Sequence, residues 1–199
     1  MYGPTAAVAV YRATVFNKPA DSGGSRIGWH QDQWRYLDTE PRVTFYVAID
    51  RATVDTGCLY VLPASNRGRV VHNRGDDGSV DACGHLRPEQ VEAVLATSAH
   101  EPVALELEPG EVVVLSNYTV HSSGAMTNAV GGPRRAFSLC LMDGATRRPD
   151  GSELGATILF GNEAIPTRLG NDPETRRGML GAGAADGLWD PAVAATGKL

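Results

Sequence analysis

Cysteine is scarce in this chain of 199 residues, and basic charge is not in excess. The three cysteines, Cys58, Cys83 and Cys140, show no Cys-x-x-Cys spacing and have an odd total, which argues against a disulfide framework and a zinc knuckle. Cys58 and Cys140 lie in apolar runs, so we predict that both are small core residues. The formal net charge of −5, with both signs interspersed, excludes the basic surface of a nucleic-acid binder. A small metabolite is the expected partner.

The chain also lacks a long hydrophobic run. Residues 5 to 10 are apolar, but Tyr11 and Arg12 end the run and no basic leader precedes it. We therefore expect neither a signal peptide nor a membrane span, and we expect a cytoplasmic protein. A chain of this length can bury one sizeable core, which predicts a single domain over residues 1–199.

Short runs rich in Val, Leu, Tyr and Phe, separated by turn-forming residues, dominate the rest of the sequence. They predict strands over residues 7–16, 42–49, 58–62, 103–107, 111–116 and 135–142. This pattern is typical of a sandwich or barrel of short strands. The pair Pro109-Gly110 indicates a tight turn, and we predict a hairpin over residues 103–116.

One segment has a helical pattern. Residues 88–96 begin with a proline, carry acidic residues early and place Val91, Val94 and Leu95 on one face, which predicts a helix. It lies inside residues 64–101, which we interpret as a lid insertion. The tail, residues 146–199, has weak periodicity and is expected to form loops and short helices packed on the barrel.

A set of metal-binding residue types stands out in the sequence. His30 and Asp32 are two residues apart, so on an extended strand they would project to the same side. His121 follows about ninety residues later. Two imidazoles and one carboxylate on one face of a metal leave the opposite positions open for other ligands. Ligand softness alone allows iron(II), manganese or cobalt, and the plain alternative for each histidine is a hydrogen-bonded residue at a strand edge.

Several ordered blocks surround these residues. They are Asn17-Lys18-Pro19-Ala20, Gly28-Trp29-His30-Gln31-Asp32, Thr56-Gly57-Cys58-Leu59-Tyr60-Val61-Leu62-Pro63, Asn117-Tyr118-Thr119-Val120-His121-Ser122-Ser123-Gly124 and Pro133-Arg134-Arg135-Ala136. In this order the chain resembles the phytanoyl-CoA dioxygenase family of Fe(II) and 2-oxoglutarate-dependent oxygenases. The resemblance implies an all-β-dominated fold, a double-stranded β-helix (a cupin-like jelly roll) with a few flanking helices.

The same resemblance assigns expected roles to residues. It implies that His30, Asp32 and His121 hold Fe(II) and that Arg134 binds the far carboxylate of 2-oxoglutarate. Arg135 competes for that role, but strand alternation puts Arg134 on a face with small residues, which leaves room for a cosubstrate. A guanidinium offers a planar, permanently charged fork for a carboxylate.

The resemblance also implies further pocket residues. Gln31, Ser123 and Tyr46 would line the 2-oxoglutarate pocket, although Tyr46 could equally be an aromatic that fills the barrel. Thr14 would face the same pocket. Lys18 is either a second anchor or a solvated turn residue, and we favour the turn.

The implied reaction is hydroxylation of an unactivated C–H bond, with O2 consumed and succinate and CO2 released. Halogenating relatives replace the metal-binding carboxylate by a small residue, so Asp32 favours hydroxylation, or a related desaturation or cyclisation, over halogenation. The alternatives are a metal-dependent jelly-roll isomerase or hydrolase that does not use 2-oxoglutarate, a non-catalytic binding domain, and an unstable fragment.

The substrate is expected to be a small molecule, such as a specialised metabolite or an amino-acid derivative. Apolar contacts would come from Trp29, Trp34 and Tyr36, and contacts to an acidic group from Arg35, Arg42, Arg67 and Arg69, unless these arginines are only solvated surface. The resembled family usually has a helical segment before the first block. Its absence here indicates a minimal member, or else a missing support whose place a partner subunit in a homo-oligomer would take.

Overall fold

The computed structural model describes residues 7–20, 26–32, 37–68, 70, 84–127, 132–154 and 156–160. Nine strands lie in these ranges: β1 (Val8–Lys18), β2 (Ile27–His30), β3 (Val43–Ala48), β4 (Leu59–Val61), β5 (Val103–Leu105), β6 (Val112–Ser116), β7 (His121–Ser123), β8 (Arg134–Asp143) and β9 (Thr157–Phe160). A 3₁₀ turn (Ser65–Arg67) follows β4, and one helix, α1 (Pro88–Thr97), precedes β5.

The strands form two antiparallel sheets. The larger sheet has the order β6-β3-β8-β1-β9 and the smaller one has the order β2-β7-β4-β5. The expected jelly roll, dominated by β structure, is therefore confirmed. The predicted strands and the helix are present with ends shifted by up to two residues, whereas the three short strands β2, β7 and β9 were not predicted.

The inner face of the larger sheet follows from the alternation of its side chains. Along β3, Thr44, Tyr46 and Ala48 are buried while their neighbours are only half-buried. Tyr46 joins a hydrophobic cluster with Ala136 of β8 and Leu59 of β4, which belongs to the smaller sheet. The core therefore lies between the two sheets.

The predicted hairpin over residues 103–116 is wrong. A turn does occur at Pro109-Gly110, where Glu111 N–H donates to the carbonyl of Glu108 at 3.0 Å and Gly110 has a φ of +89°. However, β5 pairs with β4 in the smaller sheet, and β6 pairs with β3 in the larger sheet. The turn carries the chain from one sheet to the other, because both layers of a sandwich compete for neighbouring strands.

Helix α1 packs beside the segment that carries the candidate metal-binding residues. Its Val91, Val94 and Leu95 contact a buried cluster formed by Leu62, Leu86 and Val120, with Trp29 of β2 at the edge. Pro88 occupies the first turn, where its missing N–H costs nothing. The remainder of the expected lid, residues 69 and 71–83, lies outside the described residues.

The expected tail is described only up to residue 160. In that part the chain forms β9, which pairs with β1 at the edge of the larger sheet, instead of a helix. Cys58 and Cys140 are free and buried, as predicted, and Cys83 lies outside the described residues. In the ranges given above, no helix combines the length and apolar character needed to cross a membrane.

Candidate functional site

A cavity of about 210 Å³ opens between the two sheets, and polar residues from both sheets line it. The larger sheet contributes Arg12, Lys18, Thr44, Tyr46, Arg134, Ser138 and Cys140, and the smaller sheet and its loops contribute His30, Asp32, Leu59, His121, Ser122 and Ser123. The inward-facing positions of neighbouring strands therefore converge on one space.

The structure brings His30, Asp32 and His121 together at this cavity. His30 ends β2 and His121 begins β7, and the two are direct partners in the antiparallel pair, with ring centroids 4.2 Å apart. Asp32 lies two residues beyond β2, and one potential ligand atom from each of the three residues lies within 4.8 Å of the others. His30 and Asp32 therefore point to the same side of the chain, as expected, although Asp32 lies just beyond the end of β2.

Both histidines are oriented by their own backbone. Nδ1 of His30 is 2.8 Å from the carbonyl of Gly28, and Nδ1 of His121 is 2.8 Å from the carbonyl of Thr119. A carbonyl oxygen only accepts, so each Nδ1 carries a proton, and in the neutral imidazole this leaves the lone pair on Nε2 to bind a metal. Hydrogen bonding of the second ring nitrogen is how proteins orient metal-binding imidazoles.

The carboxyl group of Asp32 is held in an environment that disfavours its charge. Burial raises the pKa of Asp32, and the nearby His121 and Arg12 partly offset this effect. A divalent cation would compensate the buried carboxylate. Two imidazoles and one carboxylate therefore fit a mononuclear iron(II) site.

Arg134 lies at the other end of the cavity and is almost completely buried, with 2% of its surface exposed. Its Nη1 donates to the hydroxyl of Tyr46 and its Nη2 donates to the carbonyl of Gly57, each at 2.7 Å. Its Nε and the hydroxyl of Ser123 are buried and find no hydrogen-bond partner in the described part of the chain. Buried polar atoms are normally satisfied, so these two indicate a polar ligand.

Arg135 lies on the outer face of the same strand. It forms an ion pair with Asp50 at 2.7 Å, and its side chain is 49% exposed. Strand alternation therefore separates the two arginines as the sequence predicted, with Arg134 facing the cavity.

The structure corrects the interpretation of Lys18 as a solvated turn residue. Lys18 is 3% exposed, lines the cavity, and donates a hydrogen bond from Nζ to the carbonyl of Gly124. Its partner in the β1–β8 pair is Arg134. Burial and the charge of Arg134 lower the pKa of Lys18 to about 8. The sequence did contain a signal for this placement. Lys18 is two residues after Phe16, so the two side chains share one face of the strand, and both line the cavity.

Tyr46 also lies in the cavity, where its hydroxyl accepts from Arg134 and its ring contacts Phe16 with centroids 6.4 Å apart. Burial raises the pKa of the phenol, although the nearby Arg134 lowers it in part. Tyr46 therefore remains neutral and keeps a proton to donate. The ring of Tyr46 therefore fills the barrel, and the residue also faces the cavity in which 2-oxoglutarate is expected.

Two expected pocket residues are placed elsewhere. The amide of Gln31 donates to the carbonyls of Gly68 and Tyr118 and accepts from the N–H of Val70, so it ties β2 to neighbouring loops and does not face the cavity. Gln31 lies between His30 and Asp32 in the sequence, so its side chain points to the opposite side of the chain. Thr14 pairs with Ser138 on the correct face, but it is not among the described residues that line the cavity.

The expected substrate residues fall into two groups. Trp34, Arg35, Tyr36 and Arg69 lie outside the described residues. Trp29 packs on the cluster beside α1, and Arg42 and Arg67 are exposed away from the cavity lining that the structure describes. The arginine that the sequence did not single out is Arg12, which lines the cavity on the side of Asp32.

Solved structures share this fold. The crystal structure of the epimerase SnoN in complex with Fe3+, alpha ketoglutarate and nogalamycin RO aligns with a TM-score of 0.56 and 22% identity, over 80% of this chain and 59% of that chain. At this level of identity the likeness concerns the fold.

Curated proteins with similar sequences were also found. A probable phytanoyl-CoA dioxygenase of Caenorhabditis elegans is 27% identical over 189 residues, covering 86% of this chain and 56% of that protein. A methylphosphonate hydroxylase of Gimesia maris is 29% identical over 117 residues, covering 59% of this chain and 39% of that protein. The chain therefore spans about half the length of the curated relatives it matches.

The family model for phytanoyl-CoA dioxygenase (PhyH) matches residues 3–136, which include the candidate metal-binding residues and Arg134. Enzymes of this family depend on Fe(II) and 2-oxoglutarate and use O2. This match extends over more than half of the sequence, and the chain belongs to the phytanoyl-CoA dioxygenase family.

Proposed function

We propose that this protein is an Fe(II)/2-oxoglutarate-dependent oxygenase that hydroxylates an unactivated C–H bond of a small molecule, with succinate and CO2 as co-products. The observation that carries the proposal is the placement of one metal-binding cluster and one buried cationic pair in a single cavity. His30, Asp32 and His121 form the cluster, and Lys18 and Arg134 form the pair.

The roles of the metal-binding residues follow from their chemistry. His30 and His121 would bind iron through Nε2, since each Nδ1 is engaged by a backbone carbonyl. Asp32 would supply the anionic ligand, and its retention favours hydroxylation over halogenation. Bound iron supplies the activation of O2, which no side chain of the protein can perform.

The cationic end of the cavity suits the far carboxylate of 2-oxoglutarate. Arg134 and Lys18 carry like charges in a buried place, so an anion between them would relieve both burial and mutual repulsion. The unsatisfied Nε of Arg134 and the hydroxyl of Ser123 would gain a hydrogen-bond partner. Tyr46 holds the guanidinium in place and can donate its own proton to the ligand.

The chain's own contribution to catalysis is then placement. The arginine and lysine fix one end of the cosubstrate, and the rigid antiparallel pair of His30 and His121 fixes the metal at the other. Apolar side chains such as Phe16 and Leu59 exclude water between these ends. The name of the methylphosphonate hydroxylase relative supports hydroxylation as the outcome.

An anaerobic titration of the metal-free protein with Fe(II) and 2-oxoglutarate tests the proposal. We expect the visible charge-transfer band of a chelated 2-oxoglutarate complex in the wild type. His121→Ala should abolish the band, Arg134→Ala should require a much higher 2-oxoglutarate concentration, and Arg135→Ala, the matched surface variant, should behave as wild type. Iron binding without the band would instead favour an isomerase or hydrolase that does not use 2-oxoglutarate.

A further inference from the structure

We propose that Arg12 is a specificity-determining residue that binds an oxyanion of the substrate, so that the substrate class is a small organic acid carrying a carboxylate, phosphate or phosphonate. This inference rests on the proposed function, because it assigns the opposite end of the cavity to 2-oxoglutarate. It concerns the same cavity but a different set of residues.

The register of β1 on β8 separates two cationic positions. Lys18 pairs with Arg134, whereas Arg12 pairs with Cys140. Cys140 is six positions along β8 from Arg134, which corresponds to roughly 20 Å along a strand. Arg12 is therefore too far along the sheet to share the carboxylate that Arg134 would bind.

The metal-binding cluster lies toward Arg12. Arg12 and its pairing partner Cys140 line the same cavity as His30, Asp32 and His121. Lys18, in contrast, contacts Gly124, which follows the far end of β7 from His121. A cosubstrate held by Arg134 and Lys18 would thus leave the Arg12 side of the cavity for the substrate.

A local irregularity in β1 aims Arg12 into the cavity. The pairing with β8 shifts between Val10 and Arg12, so one extra residue is accommodated there. Before the shift the buried residue is the odd-numbered Ala9, and after it the even-numbered Arg12, Phe16 and Lys18 line the cavity. Bulges of this kind commonly redirect side chains next to active sites.

The charges around the cavity favour an anionic substrate. The described lining carries three permanent or near-permanent cations, Arg12, Lys18 and Arg134, and one carboxylate, Asp32. A divalent iron and a dianionic cosubstrate cancel each other, so the excess of positive charge in the lining would remain. Thr44 and Ser116 also line the cavity and carry hydroxyl groups.

Arg12 is also accessible to an arriving molecule. It is exposed to solvent while still lining the cavity, which places it at the opening. A guanidinium binds planar carboxylates and phosphates through two parallel hydrogen bonds and remains charged at any relevant pH.

Binding of matched probes to the anaerobic enzyme, loaded with Fe(II) and saturated with 2-oxoglutarate, tests the inference. The probes are butyrate and propylphosphonate, with butyramide as the neutral counterpart, and dissociation constants are measured by calorimetry. We expect both anions to bind the wild type about tenfold or more tightly than butyramide. Arg12→Gln should remove this preference, Arg12→Lys should retain part of it, and the exposed Arg51→Gln should not change it.

Two controls exclude other roles of Arg12. Arg12→Gln should keep the wild-type charge-transfer band and 2-oxoglutarate affinity, whereas Arg134→Gln should weaken that affinity. Loss of the band in Arg12→Gln would overturn the inference, because Arg12 would then position Asp32. Equal binding of butyrate and butyramide to the wild type, or failure of both anions to bind, would overturn it as well.

Failure of the proposed function would look different. If wild type shows no band, the preference for anions is measured on Fe(II)-loaded Arg134→Gln without cosubstrate, where Arg12 is the remaining arginine in the described lining. A preference that Arg12→Gln then removes would support the anion site alone. No preference there would overturn both proposals.

Discussion

Lys18 and Arg134 place two cationic side chains next to each other in a buried cavity. Each donates a hydrogen bond to a backbone carbonyl, Lys18 to Gly124 and Arg134 to Gly57, but neither donates to a carboxylate within the described part of the chain. Burying like charges is unfavourable unless an anion arrives. These two buried charges therefore lower the free energy of unfolding of the protein without 2-oxoglutarate. Binding of 2-oxoglutarate would raise it again.

We predict that Lys18→Met stabilises the metal-free protein at pH 7 and weakens 2-oxoglutarate binding by about tenfold or more. The pKa of Lys18 is lowered from 10.5 to about 8 in the folded state, so its burial costs stability fully below pH 8. As pH rises from about 8 to about 10.5, the unfolded state binds more protons and the wild type recovers stability relative to the variant. Urea unfolding of both proteins across this range measures the difference. A difference that does not depend on pH would contradict the charge argument.

The candidate site could be predicted from the sequence where the chemistry is local. His30 and Asp32 are close in sequence, so strand geometry alone predicts their common side, and the alternation of Arg134 and Arg135 decides which one faces inward. Lys18 could not be placed in this way. Its neighbours Asn17 and Pro19 are typical of a turn, and its burial depends on pairing with Arg134 from a distant part of the chain.

At the scale of elements, the sequence predicted the long strands better than their partners. The apolar runs of β1, β3 and β8 identify strands because their side chains fill the core. The short strands β2 and β7 have only four and three residues, too few to show a periodic pattern. The partner of β5 is decided by competition between two sheets, so local turn chemistry at Pro109-Gly110 predicted the turn but not the pairing.

The close approach of two loops between elements can be tested with a pair of glycines. Gly57 has a φ of +76°, and a Cβ there would lie 2.5 Å from the carbonyl oxygen of Gly124. Gly110 has a similar φ of +89° but nothing within 4 Å of an added Cβ. Gly110→Ala should therefore cost only backbone strain of about 1 to 2 kcal/mol, and Gly57→Ala should cost about 1 to 3 kcal/mol more.

Urea denaturation of both variants measures these costs, and the affinity for 2-oxoglutarate provides a second readout. The carbonyls of Gly57 and Gly124 hold Arg134 and Lys18, so Gly57→Ala should also weaken cosubstrate binding while Gly110→Ala should not. Equal costs for the two variants would show that the loops can separate freely.

At the scale of the whole molecule, the chain contains every residue of the proposed metal and cosubstrate site. These residues all fall within residues 3–136, the part that the family model matches, although the chain spans about half the length of its curated relatives. Residues of both sheets form the site, so bound Fe(II) and 2-oxoglutarate should hold the two sheets together. Binding should therefore be visible as global stability.

We predict a stepwise rise in melting temperature, first with Fe(II) under anaerobic conditions and then with 2-oxoglutarate. A ligand that binds only the folded state at 100 times its dissociation constant stabilises it by about 2.7 kcal/mol, which corresponds to roughly 5 to 10 °C for a protein of this size. His121→Ala should lose most of the first step, and Arg134→Gln should keep the first step and lose the second. A second step of equal size in wild type and Arg134→Gln would place 2-oxoglutarate elsewhere. A melt without a cooperative transition in any condition would instead show that these 199 residues do not form a stable domain by themselves.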